Sequence, residues 1–378
     1  MDYTKQKLLF KIKKTLRYLK LYGLSRTLVK VKGQYHMNKL YDKNNLPKFK
    51  KNTKGQHVGI LGSGNYAYGV IAFYLKKING NVIKSSMDIN LNRAISLAEN
   101  FRAHSFTDNH IEIINNPEID LIYIASNHHT HAEYAIEALK NNKSVHIEKP
   151  HVVNRDQLNR LVDTIKTSKG KVRLGFNRPA SRFGKIILEQ LNKEKGSTMI
   201  NWFIAGHEIN PDHWYFQEKE GGRILGNLCH WTDFTYQMIE EENRYPIKII
   251  PTRSEKADCD ISVSYVFGDG SIASITFSAK GHTFEGVREK LNVHKGNTLI
   301  TMTDYESLRV DVVDKIYIYK NLFRDHGHKH NIKRSYEMIS KNLPGESIKY
   351  LYESADLFLK TKEALESNQT TTVEKYNN

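Results

Sequence analysis

Val58-Gly59-Ile60-Leu61-Gly62-Ser63-Gly64-Asn65-Tyr66-Ala67 is the stretch that decides the fold. An apolar run, His57 to Leu61, ends in two glycines one residue apart, and a helix-like stretch, Ala67 to Lys77, follows. A second strand-like run then ends at Asp88. Strand, glycine turn, helix and strand in that order form the βαβ unit of a parallel sheet. In such a unit Gly62 permits the tight turn and Gly64 lets a phosphate approach the backbone. Ala67 stands where a third small residue is usual, at the helix–strand contact. Asn65 and Tyr66 bring free amides and the positive end of the helix dipole to a pyrophosphate. Asp88 then suits the ribose hydroxyls of an adenosine and repels a 2′-phosphate, which predicts NAD rather than NADP. Capping of the helix that contains Arg93 and Ala94 is a second role open to Asp88.

Further along, a strand from Leu121 to Ala125, a helical segment from His131 to Lys140 and a strand from Ser144 to Ile147 continue the alternation. The last strand runs into Glu148-Lys149-Pro150, at the carboxyl edge where ligands bind in open α/β sheets. A lysine there can hydrogen-bond a substrate hydroxyl as it loses its proton. From about Lys171 the pattern changes. Strand-like runs follow closely at Met199–Ala205, Asp260–Phe267, Ser271–Ser278, Leu291–His294 and Thr298–Met302, some joined by short turns such as Gly268-Asp269-Gly270. Helices are predicted around Asn227–Glu240 and Ser347–Glu366. The expected class is α/β: an N-terminal Rossmann domain with a doubly wound parallel sheet, then an α+β domain on a largely antiparallel open sheet. The predicted divisions are an arm and linker over 1–55, an NAD-binding domain over 56–175 and a substrate-binding and oligomerisation domain over 176–378.

With these motifs in order, the sequence resembles the glucose-fructose oxidoreductase, inositol dehydrogenase and MocA family of sugar-type dehydrogenases. The resemblance runs from His57 to about Ser367. It is carried by the glycine turn, YIASNHHTHAEYAIEAL at 123–139, VHIEKP at 145–150, GFNR at 175–178 and GGRILGNLCHWTDF at 221–234. It implies that Lys149 binds substrate and positions the nicotinamide beside Glu148, before a Pro150 that is often cis. It also places Ser126, Asn127 and His131 at the nicotinamide end, with Asn127 replacing the family's proline. His230 corresponds to the family's acid/base histidine, and an imidazole suits proton transfer near neutral pH. Four residues earlier, where many members carry an aspartate, stands Gly226. The next residue, Asn227, can hydrogen-bond a sugar but is no base. Asp233 either orients His230 or completes a helical turn. Asp212-His213-Trp214 resembles a segment of nucleotide-sugar and polysaccharide-pathway members, in which Trp214 can stack and His213 can bind a hydroxyl or phosphate. Asn177 and Arg178 are candidate substrate contacts, since arginine grips oxyanions in bidentate fashion. Lys280–Glu289 and Arg324-Asp325-His326 are unusually polar for their surroundings and receive no role.

The rest of the composition sets boundaries. The 378 residues carry a net charge of +16, with 39% hydrophobic and 10% aromatic residues, enough apolar surface for two packed domains. Residues 1–55 hold sixteen Lys/Arg against two acids, so nearly all of the excess charge lies there. A basic helix from about Tyr3 to Tyr22, stopped by Gly23, and a linker from Asn44 to Gly55 are predicted. Such an arm can dock on its own or a neighbouring subunit, lie on a membrane surface or meet a pathway partner. Nucleic acid is excluded from the partners, because no aromatic-basic recognition motif follows. Cys229 and Cys259 are too few for a disulfide framework. With no signal peptide or membrane-spanning run, the expected location is cytoplasmic or at the membrane periphery. The histidines at 128, 129 and 131 lack the ligand pattern of a metal site, and none is expected.

These readings converge on an NAD-dependent oxidoreductase acting on a secondary hydroxyl of a sugar, in particular a nucleotide sugar of surface-polysaccharide synthesis, as a homo-dimer or tetramer paired through the C-terminal sheet. Two rivals stand beside it: an NAD-binding sensor or scaffold that has lost its chemistry, and an NAD-dependent enzyme that cleaves glycosides.

Overall fold

The computed structural model describes residues 3–42, 44–49, 55–253, 260–280 and 284–376. Cys259, the stretch 281–283 of the polar run and residues 50–54 of the expected linker lie outside the described residues. The chain divides into two units: Met1–Val152, Asp156–Gly175 and Lys329–Ile348 form one, and Val153–Arg155, Phe176–His328 and Lys349–Asn378 the other.

The first unit opens with helix α1 (Leu8–His36), in which Gly23 leaves helical geometry at φ 75° and ψ 169°. Gly23 was expected to end the helix. It instead breaks the axis, and helical backbone resumes to His36, because glycine adopts the positive φ of a kink without steric cost. Six short strands follow: β1 (Val58–Leu61), β2 (Ile83–Met87), β3 (Ser105–Thr107), β4 (Leu121–Ile124), β5 (Ser144–Ile147) and β6 (Val172–Leu174). They pair in parallel in the order β3-β2-β1-β4-β5-β6, the doubly wound Rossmann order, with the crossover between β1 and β4. β1, β2, β4 and β5 are buried along their whole length, as a sheet covered on both faces requires. The connecting helices are α2 (Phe73–Asn79, preceded by a π-helical stretch Ala67–Ala72), α3 (Leu91–Phe101), α4 (His110–Ile114), α5 (His128–Lys140) and α6 (Arg155–Thr167).

The second unit carries a nine-stranded sheet of β7 (Thr198–Ala205), β8 (Ile247–Arg253), β9 (Asp260–Val266), β10 (Ile272–Ser278), β11 (Arg288–Lys295), β12 (Thr298–Thr303), β13 (Ser307–Val312), β14 (Lys315–Lys320) and β15 (Thr371–Val373). β7 and β10 pair in parallel and the remaining pairs are antiparallel, so the sheet is mixed but mostly antiparallel. Burial alternates strictly along β7, β11 and β12. One face packs Trp202, Leu291, Val293 and Ile300 with residues of α7 (Arg182–Leu191), α8 (Cys229–Met238) and the C-terminal helix Ile348–Ser367. The other face exposes Met199, Phe203 and Leu299. Cys229 is a buried free thiol on α8.

Late in the chain, helix α9 (His328–Ser340) returns to the first unit, where Ile332 and Met338 join the core of Val58, Ile60, Leu121 and Tyr123. The Tyr123 hydroxyl donates to the carbonyl of Ile332 at 2.9 Å. A linear division at residue 175 therefore assigns α9 to a different region from the one it packs in. Ile332 is almost fully enclosed, and Ile332→Ala is expected to lower stability by about 2–4 kcal/mol. Urea denaturation followed by circular dichroism checks this; an unchanged midpoint would mean that α9 adds nothing to that core.

Candidate active site

In the first unit the chemistry collects at the carboxyl ends of the parallel strands. Gly62 follows β1 with φ +88°, and a β-carbon there would lie 2.5 Å from the carbonyl oxygen of Ala125. Any side chain would collide with backbone at the β1/β4 crossover, so only glycine fits. At Gly64 a β-carbon would meet nothing within 4 Å. One glycine thus lets two strand ends touch, and the other leaves the turn open on its outer side. The donor set and this open side fit a dinucleotide pyrophosphate at the N-terminus of the following helix, to which Asn65 and Tyr66 belong.

Asp88 ends β2 and is buried. Its Oδ2 accepts the amide of Ser63 at 2.9 Å, and its Oδ1 accepts the amide of Asn90 at 2.9 Å. The cap of α3 is Asn90, whose side chain accepts from the amide of Asn92. Asp88 therefore fastens the glycine turn to the start of α3, and each oxygen keeps a second lone pair for ribose.

The Lys149–Pro150 peptide is cis, as the resemblance implied. Behind it lies a buried relay that sequence reading missed. His146 bridges Ser335 Oγ on α9 (2.8 Å, through Nδ1) and Glu148 Oε1 (3.0 Å, through Nε2). A β-carbon on Gly175 would fall 2.5 Å from Glu148 Oε2. Glu148 is thus packed in place by protein groups, and its observed part is to hold the strand end that carries Lys149. His131 has a similar part. Its Nδ1 lies 2.8 Å from the carbonyl of Pro150 and its Nε2 3.1 Å from that of Ser126. The imidazole expected at the nicotinamide end therefore ties the β4 and β5 turns together. Ser126 shares a 2.6 Å hydrogen bond with Thr130, and Asn127 caps α5 without using its side chain.

A further residue of this edge comes from α1. His36 is buried, its Nε2 donates to the carbonyl of Ser63 at 2.7 Å, and its ring stacks on Tyr68 at 4.2 Å. A β-carbon on Gly33 would lie 2.6 Å from Asn65 Oδ1. The second half of α1 is therefore docked against the glycine turn, one of the placements expected for the arm, on residues that its basic composition did not point to.

In the second unit, His230 is half-buried on α8, directly after a π-helical turn, Ile224–Leu228. Such turns are uncommon and frequent at functional sites. Gly226 lies within the turn, as does Asn227, whose buried Oδ1 has no hydrogen-bond partner among the described residues. Asp233 is buried, with Oδ1 accepting the Tyr350 hydroxyl at 2.6 Å and Oδ2 the Gln237 amide at 2.9 Å. Arg178, expected to grip a substrate oxyanion, is instead in bidentate contact with Glu289 at 2.9 and 2.7 Å, both residues being buried. Its guanidinium stacks over Trp231, whose indole also donates to Glu289 at 2.7 Å. This corrects its role: Arg178 fixes the residue next to His230. Asn177 donates to the carbonyl of His326 at 2.6 Å. The polar runs that lacked a role thus supply internal partners, and Arg324 likewise pairs with Glu285 and Glu306. His213 is exposed and Trp214 half-buried on a short turn, where the His213 ring accepts the Tyr215 amide.

Burial holds the His131 imidazole below its ordinary range, although both carbonyls and Glu148 pull the other way. The unfolded chain therefore takes up a proton below about pH 6.5 that the folded chain resists, so stability is full above that value and is lost as pH falls through the lowered folded pKa. His36 is shifted in the same direction, first by burial. His131→Gln is expected to show a shallower fall of melting temperature on acidification than the parent protein. Parallel slopes in thermal scans would show that His131 does not titrate in this way.

Residues 56–176 match the family described as oxidoreductase family, NAD-binding Rossmann fold. An oxidoreductase of Formosa agariphila is 34% identical over 219 residues, 49% of this chain and 67% of that protein. A myo-inositol 2-dehydrogenase of Thermotoga maritima is 28% identical over 186 residues, 49% of this chain and 55% of that protein. Among solved structures, a levoglucosan dehydrogenase in complex with NADH and levoglucosan superposes with a TM-score of 0.73 at 16% identity, covering 84% of this chain and 99% of that one. With the Rossmann order, the glycine turn and the end of β5 already in place, the chain belongs to this NAD-binding oxidoreductase family, that of glucose-fructose oxidoreductase, inositol dehydrogenase and MocA.

Proposed function

We propose that the chain moves a hydride between NAD and a secondary hydroxyl or keto group of a sugar, and that its substrate is a nucleotide sugar of surface-polysaccharide synthesis. The observation that carries this reading is the shared carboxyl edge of one sheet, where the open turn at Gly64, the carboxylate of Asp88 and Lys149 follow three of its strands. The named relatives, a myo-inositol dehydrogenase and a levoglucosan dehydrogenase, support a polyhydroxylated ring as the substrate class.

Bound NAD supplies the carbon that accepts or returns the hydride. The amides of Asn65 and Tyr66 and the open side of Gly64 hold its phosphates, and Asp88 holds the adenosine ribose and disfavours a 2′-phosphate. Lys149 donates to the substrate oxygen as negative charge develops on it. His230 takes the hydroxyl proton onto a neutral imidazole, and the reverse steps reduce a ketone. Asn227 Oδ1, buried without a protein donor among the described residues, accepts from a neighbouring sugar hydroxyl. Its unmet bond is matched by a substrate that carries hydroxyls on adjacent carbons. His213 and Trp214 offer a stacking surface to the nucleotide part. Gly226 supplies no carboxylate, so His230 works without the aspartate that many members carry. Pairing of subunits uses the apolar outer face of the second sheet, around Met199, Phe203 and Leu299. Light scattering on Phe203→Lys is expected to show smaller particles than the parent protein, and an unchanged mass would remove this face from the assembly.

A screen of nucleotide sugars and inositols for nicotinamide absorbance change tests the reaction. With the substrate it finds, Lys149→Ala and His230→Ala are each expected to lower kcat by about 10²–10⁴-fold, with NADH fluorescence titrations nearly unchanged. NADH binding with no turnover on any sugar or inositol would favour a cofactor-sensing protein instead. Asp88→Ser is expected to narrow the preference for NAD over NADP; tighter NADPH than NADH binding in the parent protein would reverse the assignment of Asp88.

A further inference from the structure

The first half of helix α1 carries an apolar arc on its solvent side, although Leu21 and Val29 of the same helix are buried. Leu8, Leu9, Ile12 and Leu16 are 47–72% exposed. At 100° per residue they fall within an arc of about 100° on one side of the helix. Lys13, Arg17 and Lys20 border that arc on one flank and Lys11 on the other. Lys14, by contrast, is buried, with its ammonium 4.9 Å from the Tyr3 ring centroid and 5.0 Å from that of Tyr18. Lys30 lies over Tyr18 and Tyr22 at 5.1 and 4.6 Å. Lys14 and the aromatic rings thus share the inner side with the buried Leu21, while Leu8, Leu9, Ile12 and Leu16 face out. Beyond the kink at Gly23, Leu24 and Leu28 are exposed as well. The same half of the helix is fixed to the glycine turn through Gly33 and His36.

We propose that this face of α1 seats the protein on an anionic lipid bilayer, with the leucines in the acyl boundary and the lysines at the headgroups. Two observations select this occupant. Residues 1–55 carry sixteen Lys/Arg against two acids, so a second copy would bring like charge to like charge. A purely anionic partner would meet the lysines but leave the leucine arc in water, whereas a bilayer presents anionic headgroups above an apolar layer. No helix among the described residues is long and apolar enough to cross a membrane, so the contact is peripheral. The docked half of α1 then holds the cofactor-binding unit close to the bilayer.

Cosedimentation of the full chain with vesicles of phosphatidylcholine, with and without phosphatidylglycerol, tests this. Binding to the anionic vesicles is expected to exceed binding to the neutral ones about tenfold or more and to weaken as salt rises. Leu9→Glu/Leu16→Glu is expected to abolish it while NADH titration stays at the parent value, which reports a folded first unit. Lys13→Gln/Lys20→Gln, which keeps the apolar face, is expected to weaken it about tenfold on anionic vesicles. Three outcomes would overturn the proposal. One is no sedimentation of the parent protein with anionic vesicles, and another is binding indifferent to the leucine changes, which indicates adsorption by charge alone. The third is a vesicle-free oligomer that the leucine changes dissociate, which makes the occupant a second copy.

Discussion

A β-carbon at residue 62 would stand 2.5 Å from the Ala125 carbonyl oxygen, so only glycine lets the ends of β1 and β4 meet as they do, with the Ala125 amide donating to the Leu61 carbonyl at 2.8 Å. The two strands are neighbours in the sheet but lead to connections on opposite sides of it, which is why a crevice opens beyond their ends. Close approach there sets Ser63, Asp88 and Ser126 at the rim of that crevice. The amide of Ser63 can reach Asp88 only because the turn is this tight.

Rigidity at the rim comes from behind it. His146, Glu148 and Ser335 form a buried chain, and His131 joins the turns after β4 and β5 through their carbonyls. An ionisable group with both polar ends engaged in a low-dielectric interior has few alternative positions, since leaving one end unmet is costly. The second unit uses the same device around His230: Glu289 receives Arg178 and Trp231 together. Removal of one partner from such a buried pair costs about 3–5 kcal/mol, so the arrangement fixes geometry more firmly than it adds stability. In both units, some residues that read as ligand contacts in the sequence, His131, Glu148 and Arg178, are engaged by protein groups.

The parts of the fold that were legible in the sequence are those set by near neighbours. The strands around Leu121 and Ser144, the glycine turn and the Gly268–Gly270 hairpin each declare themselves within a few residues. The missed features depend on distant partners. Glu289 lies 111 positions from Arg178, and Ser335 lies 189 from His146, so neither pairing leaves a local pattern. α9 returns to the first unit across a long stretch of the second, which a linear boundary does not capture. β13 and β14 were not expected because their runs are thick with charge, as in Arg309, Asp311, Lys315 and Lys320. Gly23 was misleading for a different reason: a positive-φ glycine signals a break in a helix but not whether helix resumes beyond it.

The internal commitment of Arg178 also bears on what a substrate can be. With its charge answered by Glu289 and both residues buried, this arginine is paired inside the protein rather than held open for an oxyanion. The π-helical turn carries the Asn227 amide oxygen, buried and without a protein donor among the described residues, and His230 follows it on α8. An acceptor without a protein donor selects for a hydroxyl, because a ligand lacking one leaves the oxygen desolvated and unmet. On the proposed reading, such a site discriminates by hydroxyl position rather than by charge. On that same reading, the anionic part of a nucleotide sugar is recognised away from the Arg178–Glu289 pair, and the His213–Trp214 segment is where the second unit has an aromatic surface to offer.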